Sequence, residues 1–341
     1  MSASLVVLLP ILLLGIVSVF CFVGCALQTH GTGIPFTQYS TLTVLGNKDL
    51  IAYWPLNDKI IGGVDPVNAQ DAAPNPAKGN YIDAKNTPSF YPWPVYSLPN
   101  PPNPDVQSAA APGTVAFQQP GIVAGDTVPP ANTVTTDCVV VNGGFVSVPF
   151  ATKFNLTSFT VEAWVRVDWD ATATQAWRFV VDSRDFNPCT GFGIFAMADA
   201  KQPGVYHWQA MVGNGGMDTD GSGFTFLPID DTPITLNGPP DSDSESAPTI
   251  HYIALTYDGQ QLTLYVDGKQ RSTLSPAVYV ANTTKALLIG VGYPLASFSE
   301  PQPPGVPVFP FNGAIQDVAV YKAALTSTAI AGNYQNGTGF L

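Results

Sequence analysis

The sequence predicts an all-β fold, a two-sheet antiparallel sandwich preceded by an N-terminal transmembrane helix. Three observations carry that expectation. Gly and Pro number 31 and 32 in 341 residues, a density that short strands and turns accommodate and long helices do not. At least ten short runs rich in β-branched and aromatic residues succeed one another with no crossover helix between them, so the strands run antiparallel and pack as two sheets. Finally, Leu5 to Leu27 carries no charged side chain. At ~1.5 Å rise per residue such a span crosses the ~30 Å hydrocarbon layer.

The apolar span comes first in the chain. A secretory signal has a basic n-region and an apolar core of ~7 to 15 residues. Here no Lys or Arg precedes Lys48 and the run is longer, which favours a retained anchor over residues 1–27 with the body outside the cytoplasm. Two alternatives stay open. One is a cleaved signal. The other is lipidation at Cys25, where Phe22-Val23-Gly24-Cys25 resembles a bacterial lipobox except that Phe22 replaces the usual aliphatic residue.

Residues 28–46 read as a polar linker, and Leu50 to Leu56 as a strand ended by Pro55 and the Asn57-Asp58 pair. Between residues 62 and 136 Pro recurs throughout, as in Tyr91-Pro92-Trp93-Pro94-Val95-Tyr96. Each Pro removes a ladder donor, so this long insertion forms no central sheet. From Asp137 onward strands are expected at residues 138–141, 145–148, 159–167, 179–181, 192–197, 206–212, 251–257, 261–266, 286–290 and 314–321. Asp258-Gly259 and Asp267-Gly268 supply the positive φ angles of tight hairpin turns. Leu262, Leu264 and Val266 share one face of their strand, as expected where a sheet meets the core. Leu325 to Tyr334 is the only good short helix.

Net charge is −12, from 13 Lys plus Arg against 25 Asp plus Glu. Nucleic acid is thereby excluded as a partner, since little would neutralise phosphates. Glu occurs only at Glu162, Glu245 and Glu300, so the acidity is mostly Asp and belongs to loops. Cys138 and Cys189 stand alone in the body and are expected to form a disulfide, with Cys138 as a small buried hydrophobe the alternative. His30, His207 and His251 are dispersed and no Cys-x-x-Cys occurs, which argues against structural zinc.

Five segments carry a family resemblance: Leu50-Ile51-Ala52-Tyr53-Trp54-Pro55-Leu56-Asn57-Asp58, Phe159-Thr160-Val161-Glu162-Ala163-Trp164-Val165, His251 to Gly259, Leu264-Tyr265-Val266-Asp267-Gly268, and Phe311 to Val318. In this order they resemble the signature strands of the laminin-G-like branch of the concanavalin A-like lectin/glucanase superfamily. The resemblance implies a jelly roll over residues 47–341, with the first and last long strands adjacent and a C-terminal helix at the edge. The insertions at 62–136 and 301–310 depart from the family's pattern; lying over the concave face where relatives bind ligands, they would put inherited binding in doubt.

The superfamily includes glycoside hydrolases, which place paired carboxylates on one strand, about 5 to 9.5 Å apart. Glu162 is the only Glu on an expected strand and reads as a hydrogen-bonded structural carboxylate, so no enzyme is expected. His251 reads as a packing or capping residue. Asp218 and Asp220 lie two apart in a Gly-rich turn, where hard oxygen ligands suit calcium; a solvated turn is the alternative. Tyr91, Trp93 and Tyr96 sit on stiff Pro-rich backbone, suited to stacking on a sugar ring or to pinning the long loop. The expected function is a membrane-anchored, extracytoplasmic, non-catalytic recognition module for a carbohydrate or a cell-surface protein. An accessory subunit of a membrane assembly is the alternative, and a glycoside hydrolase comes third. Asn155, Asn282 and Asn336 each stand in an Asn-x-Thr sequon.

Overall fold

Strands form at nearly every run that β-branched and aromatic residues mark. The structure is a computed structural model and describes residues 39–83, 113–124, 137–168, 177–199, 201–202, 205–217, 222–230, 232–234, 236, 249–293 and 309–339. The chain divides into two units, Met1–Phe36, which lies wholly outside the described residues, and Thr37–Leu341. In chain order the strands are β1 (Leu50–Trp54), β2 (Asn68–Ala69), β3 (Gly79–Ile82), β4 (Thr114–Pro120), β5 (Asp137–Asn142), β6 (Phe145–Val148) and β7 (Phe159–Val167). They continue as β8 (Trp177–Asp182), β9 (Asp185–Phe186), β10 (Cys189–Thr190), β11 (Phe192–Ala198), β12 (Tyr206–Gly213), β13 (Phe224–Phe226) and β14 (Pro233–Ile234). The last are β15 (Ile250–Tyr257), β16 (Leu262–Val266), β17 (Lys269–Leu274), β18 (Leu287–Ile289) and β19 (Asn312–Tyr321), followed by helix α1 (Ser327–Gly337).

Two sheets take all of these strands except the small β9–β10 hairpin. The first runs β17-β16-β15-β7-β19-β5-β4, with β1 also on β19; the second runs β13-β12-β11-β8-β18-β6-β3-β2, with β14 on β12. The ladders are antiparallel, and the arrangement is consistent with a jelly roll. One strand, β19, organises the first sheet. Along one side it meets β7; on the other, its first half pairs with β5 and its second half with β1. The register breaks between them, where Asp317 takes a φ of 54° and the Tyr53 hydroxyl donates to its carboxylate at 2.6 Å. The first and last long strands are therefore adjacent, as the resemblance implies.

The inner faces close one core. Val161 and Val165 of β7, Leu255 of β15 and Leu264 of β16 meet Ile194, Trp208 and Ile289 of the second sheet, all buried. The outer faces of the central strands β7, β15 and β16 are buried too. Trp164 of β7 stacks on Tyr334 of α1 with ring centroids 5.9 Å apart, and Gly337 lies so close to the indole that an added Cβ would stand 2.0 Å from it. Thr326 caps α1 by accepting from the Ala329 amide at 3.2 Å, two residues later than the helix start expected from sequence.

Three expectations are corrected. The stretch read as linker over 28–46 ends in a docked π-helical turn, Tyr39–Val44, because Tyr39 is buried edge-on against Trp164, whose indole N–H donates to its hydroxyl at 3.1 Å. The insertion at 62–136, read as irregular, holds strands at the sheet edges: β3 and β2 extend the second sheet beyond β6, and β4 ends the first. Edges tolerate Pro, and Pro120 closes β4.

The third correction concerns Cys138 and Cys189, which are free thiols, both buried. Cys138 is on β5 in the first sheet, its Sγ 3.2 Å from the Pro120 carbonyl; Cys189 is in the β9–β10 hairpin beside Gly223. Each thiol is thus packed in its own surroundings. Burial pushes the Cys138 thiol up to about 12. Native protein at pH 8 is expected to leave both unalkylated by iodoacetamide, and unfolded protein to alkylate both without prior reduction. A peptide map showing them linked would contradict the structure.

Candidate functional site

The central strands hold three carboxylates, and each is fully committed. Glu162 of β7 is buried completely and accepts from the hydroxyls of Tyr252 and Tyr321 and from Asn333 Nδ2 of α1, the last two at 2.6 and 2.9 Å. Burial pushes its carboxyl above the ordinary value, against three hydrogen bonds that pull it down, and the same burial raises the two tyrosines. The structural reading of Glu162 made from sequence is the observed one. Asp317 of β19 is held by Tyr53.

Asp182 of β8 faces the outer side of the second sheet. Arg184 grips it in a two-pronged pair, Nε to Oδ1 at 2.8 Å and Nη2 to Oδ2 at 2.7 Å, and both side chains are fully buried. Tyr293 closes the arrangement: its N–H donates to Asp182 Oδ2 at 2.7 Å and its carbonyl accepts from Arg184 Nη2 at 2.8 Å. The guanidinium lies over the Phe179 ring, 4.3 Å from its centroid. Around it Phe145, Phe195, Phe224, Met211 and Phe309 form a second apolar cluster. Phe309, at the end of the Pro-rich 301–310 insertion, lies 5.3 Å from Trp177 and 5.9 Å from Phe179 between centroids. Phe309, the described end of that insertion, thus packs on this face.

One narrow recess, with room for about one water molecule, lies among the described residues. The short 3-10 turn Thr152–Phe154 and the segment entering β18 form a narrow, mainly apolar groove lined by Phe150, Phe154, Leu156, Tyr279, Asn282 and Lys285. Phe150, Phe154 and Tyr279 are half-buried and present ring surface. Tyr279 is seated by Phe159 and Tyr257, at centroid distances of 5.0 and 5.3 Å. Asn282 is turned inward: its Oδ1 accepts from the amides of Thr284 and Lys285, and its Nδ2 donates to the Lys285 carbonyl. Lys285 is left with a distant carboxylate, Asp185 at 4.0 Å.

His251 packs and caps. Its Nδ1 is 2.9 Å from Asp267 Oδ2, and its ring lies edge-on to Trp208. Asp218, Asp220, Tyr91, Trp93 and Tyr96 lie outside the described residues. Among the described residues no group of three or more His, Cys, Asp or Glu gathers as a metal site. The groove itself escapes sequence reading because its rings come from loops between strands. The one signal is that Phe150, Phe154 and Tyr279 fall outside every alternating run.

The family model Laminin_G_3, of the concanavalin A-like lectin/glucanases superfamily, matches residues 141–331, more than half of the chain. The chain belongs to this superfamily. No curated relative matches it. Among solved structures it is similar to the botulinum neurotoxin serotype C1 binding domain, at 11% identity and a TM-score of 0.43, covering 85% of this chain and 52% of that one. It is also similar to a Trypanosoma rangeli sialidase, at 14% identity and a TM-score of 0.44, covering 85% of this chain and 33% of that one. This member of the superfamily thus spans about half of the toxin domain's length and a third of the sialidase's.

Proposed function

We propose that the chain is a membrane-anchored recognition module whose body stands outside the cytoplasm and binds a carbohydrate or a cell-surface protein without catalysis. One observation carries the reading. The carboxylates of the central strands, Glu162, Asp182 and Asp317, are buried and bonded, and no two of them share a strand as the pair of a sandwich hydrolase would. The groove between Phe154 and Tyr279 offers ring surface instead. Membership of the lectin/glucanases superfamily fits this, and the uncharged Leu5 to Leu27 span supports the anchor. Among the described residues no helix is long and apolar enough to cross a membrane, and that span lies outside them.

Calcium at Asp218 and Asp220 and ring stacking by Tyr91, Trp93 and Tyr96 are part of the proposal. The first gains support from Asn214, which ties the two ends of that loop by donating to the Ser222 carbonyl and accepting from the Gly216 amide. The test is binding of the full chain to a glycan array, in calcium and in chelator. Phe150→Ala and Phe154→Ala are each expected to weaken binding by about tenfold, the order of one lost stacking contact, with melting temperature checked in parallel. Weaker binding in chelator is expected from the metal. Release of reducing sugar would instead make the chain a hydrolase. Stoichiometric co-purification of other subunits, with no glycan bound, would make it an accessory subunit.

A further inference from the structure

The three Asn-x-Thr sequons meet three different fates in the fold. Asn282 is buried and spends its whole amide on the Thr284 and Lys285 backbone. The hydroxyl of Thr284, the third residue of that sequon, donates to Asp185 at 2.9 Å. Asn336 lies in the last turn of α1, half-buried, and its Nδ2 donates to Thr43 Oγ1 at 3.0 Å. Its neighbour Gly337 is clamped under Trp164, and Thr338 donates to the Gln335 carbonyl. Neither segment can accept a bulky polar group on its Asn without giving up buried hydrogen bonds.

Asn155 is different on every count. It follows the short Thr152–Phe154 turn with φ −78° and ψ 74°, outside any helix or strand. Its backbone N–H is satisfied by the Thr152 carbonyl at 3.1 Å, so the turn holds without its side chain. Both Asn155 and Thr157 are exposed, whereas Leu156 between them is buried and pins the loop. An acceptor sequon needs an accessible amide and hydroxyl on surface backbone. We propose that Asn155 is a site of N-linked glycosylation, and that it is the sequon the folded body presents. The proposal rests on the extracytoplasmic placement given above.

The test expresses the full chain in a eukaryotic secretory cell with an Asn-Ser-Thr acceptor tag added after Leu341, and maps the folded, protease-resistant fraction by peptide mass after enzymatic deglycosylation in heavy-oxygen water. The expected result is modification at the tag and at Asn155, with Asn282 and Asn336 bare. In gels, Asn155→Gln should abolish one of two glycan shifts, while Asn282→Gln and Asn336→Gln leave both. A modified tag with Asn155 bare would overturn the site and leave the placement standing. A bare tag would overturn the placement and the site with it. A glycan on Asn282 or Asn336 in the folded fraction would overturn the selection among the three.

Discussion

Arg184→Met is expected to destabilise the body by about 3 to 5 kcal/mol, the range for breaking a buried ion pair from one side. The substitution keeps much of the side-chain volume and removes the charge that balances Asp182. Two backbone donors would remain to the stranded carboxylate, the amides of Arg184 itself and of Tyr293. The carbonyl of Tyr293 would lose its guanidinium donor, and the Phe179 face its cation. The doubly apolar variant, Asp182→Leu with Arg184→Met, is expected to recover part of the loss, since no uncompensated charge stays buried. Urea unfolding of the single and double variants checks this. A cost below about 1 kcal/mol for Arg184→Met, on the scale of a surface pair, would mean that water reaches the site.

That pair also marks the limit of what the sequence discloses. Strand positions are legible because alternation and β-branched content are local, and the five signature segments fell on β1, β7, β15, β16 and β19. The two Asp-Gly turns show the next level. Asp267 and Gly268 both take positive φ, 53° and 71°, and join Val266 directly to Lys269, the tight turn expected. Asp258-Gly259 has the same dipeptide but a four-residue loop between the paired residues Tyr257 and Leu262. There the Asp258 carboxylate accepts from the Gln260 and Gln261 amides at 2.9 and 2.7 Å, and only Gly259 is left-handed. The dipeptide fixes the reversal but not its length, because the side chain can serve as an acceptor for the turn. What covers an outer face is not local at all. Asp182 and Arg184 look like solvent residues until Tyr293 and Phe309, more than a hundred positions away, enclose them. The buried thiols are illegible for the same reason, since pairing depends on which strands share a sheet. The groove rings belong to loops, where no period exists to read.

Glu162→Ala is expected to cost about 3 kcal/mol, because three buried donors, the hydroxyls of Tyr252 and Tyr321 and the amide of Asn333, would lose their acceptor in one step. Asn333 belongs to α1, so the loss should appear first as earlier proteolysis at the C-terminal helix. Glu162→Gln separates charge from shape and carries a pH signature. Burial raises the folded carboxyl above its ordinary 4.5, outweighing the hydrogen bonds that lower it. A group raised on folding contributes stability that is whole below about pH 4.5 and is lost as the pH climbs through the folded value. Its surroundings are two tyrosines whose own values are raised, and these stay protonated throughout this window. Stability measured by urea unfolding from pH 4 to pH 8 should therefore move in favour of Glu162→Gln relative to the parent as the pH rises, because only the parent must ionise a buried acid. Carboxylates remote from the site, such as half-buried Asp199 and exposed Asp258, which are lowered, titrate alike in both proteins and cancel from the difference. A difference that moves the other way would mean that the hydrogen bonds from Tyr252, Tyr321 and Asn333 outweigh burial at this site.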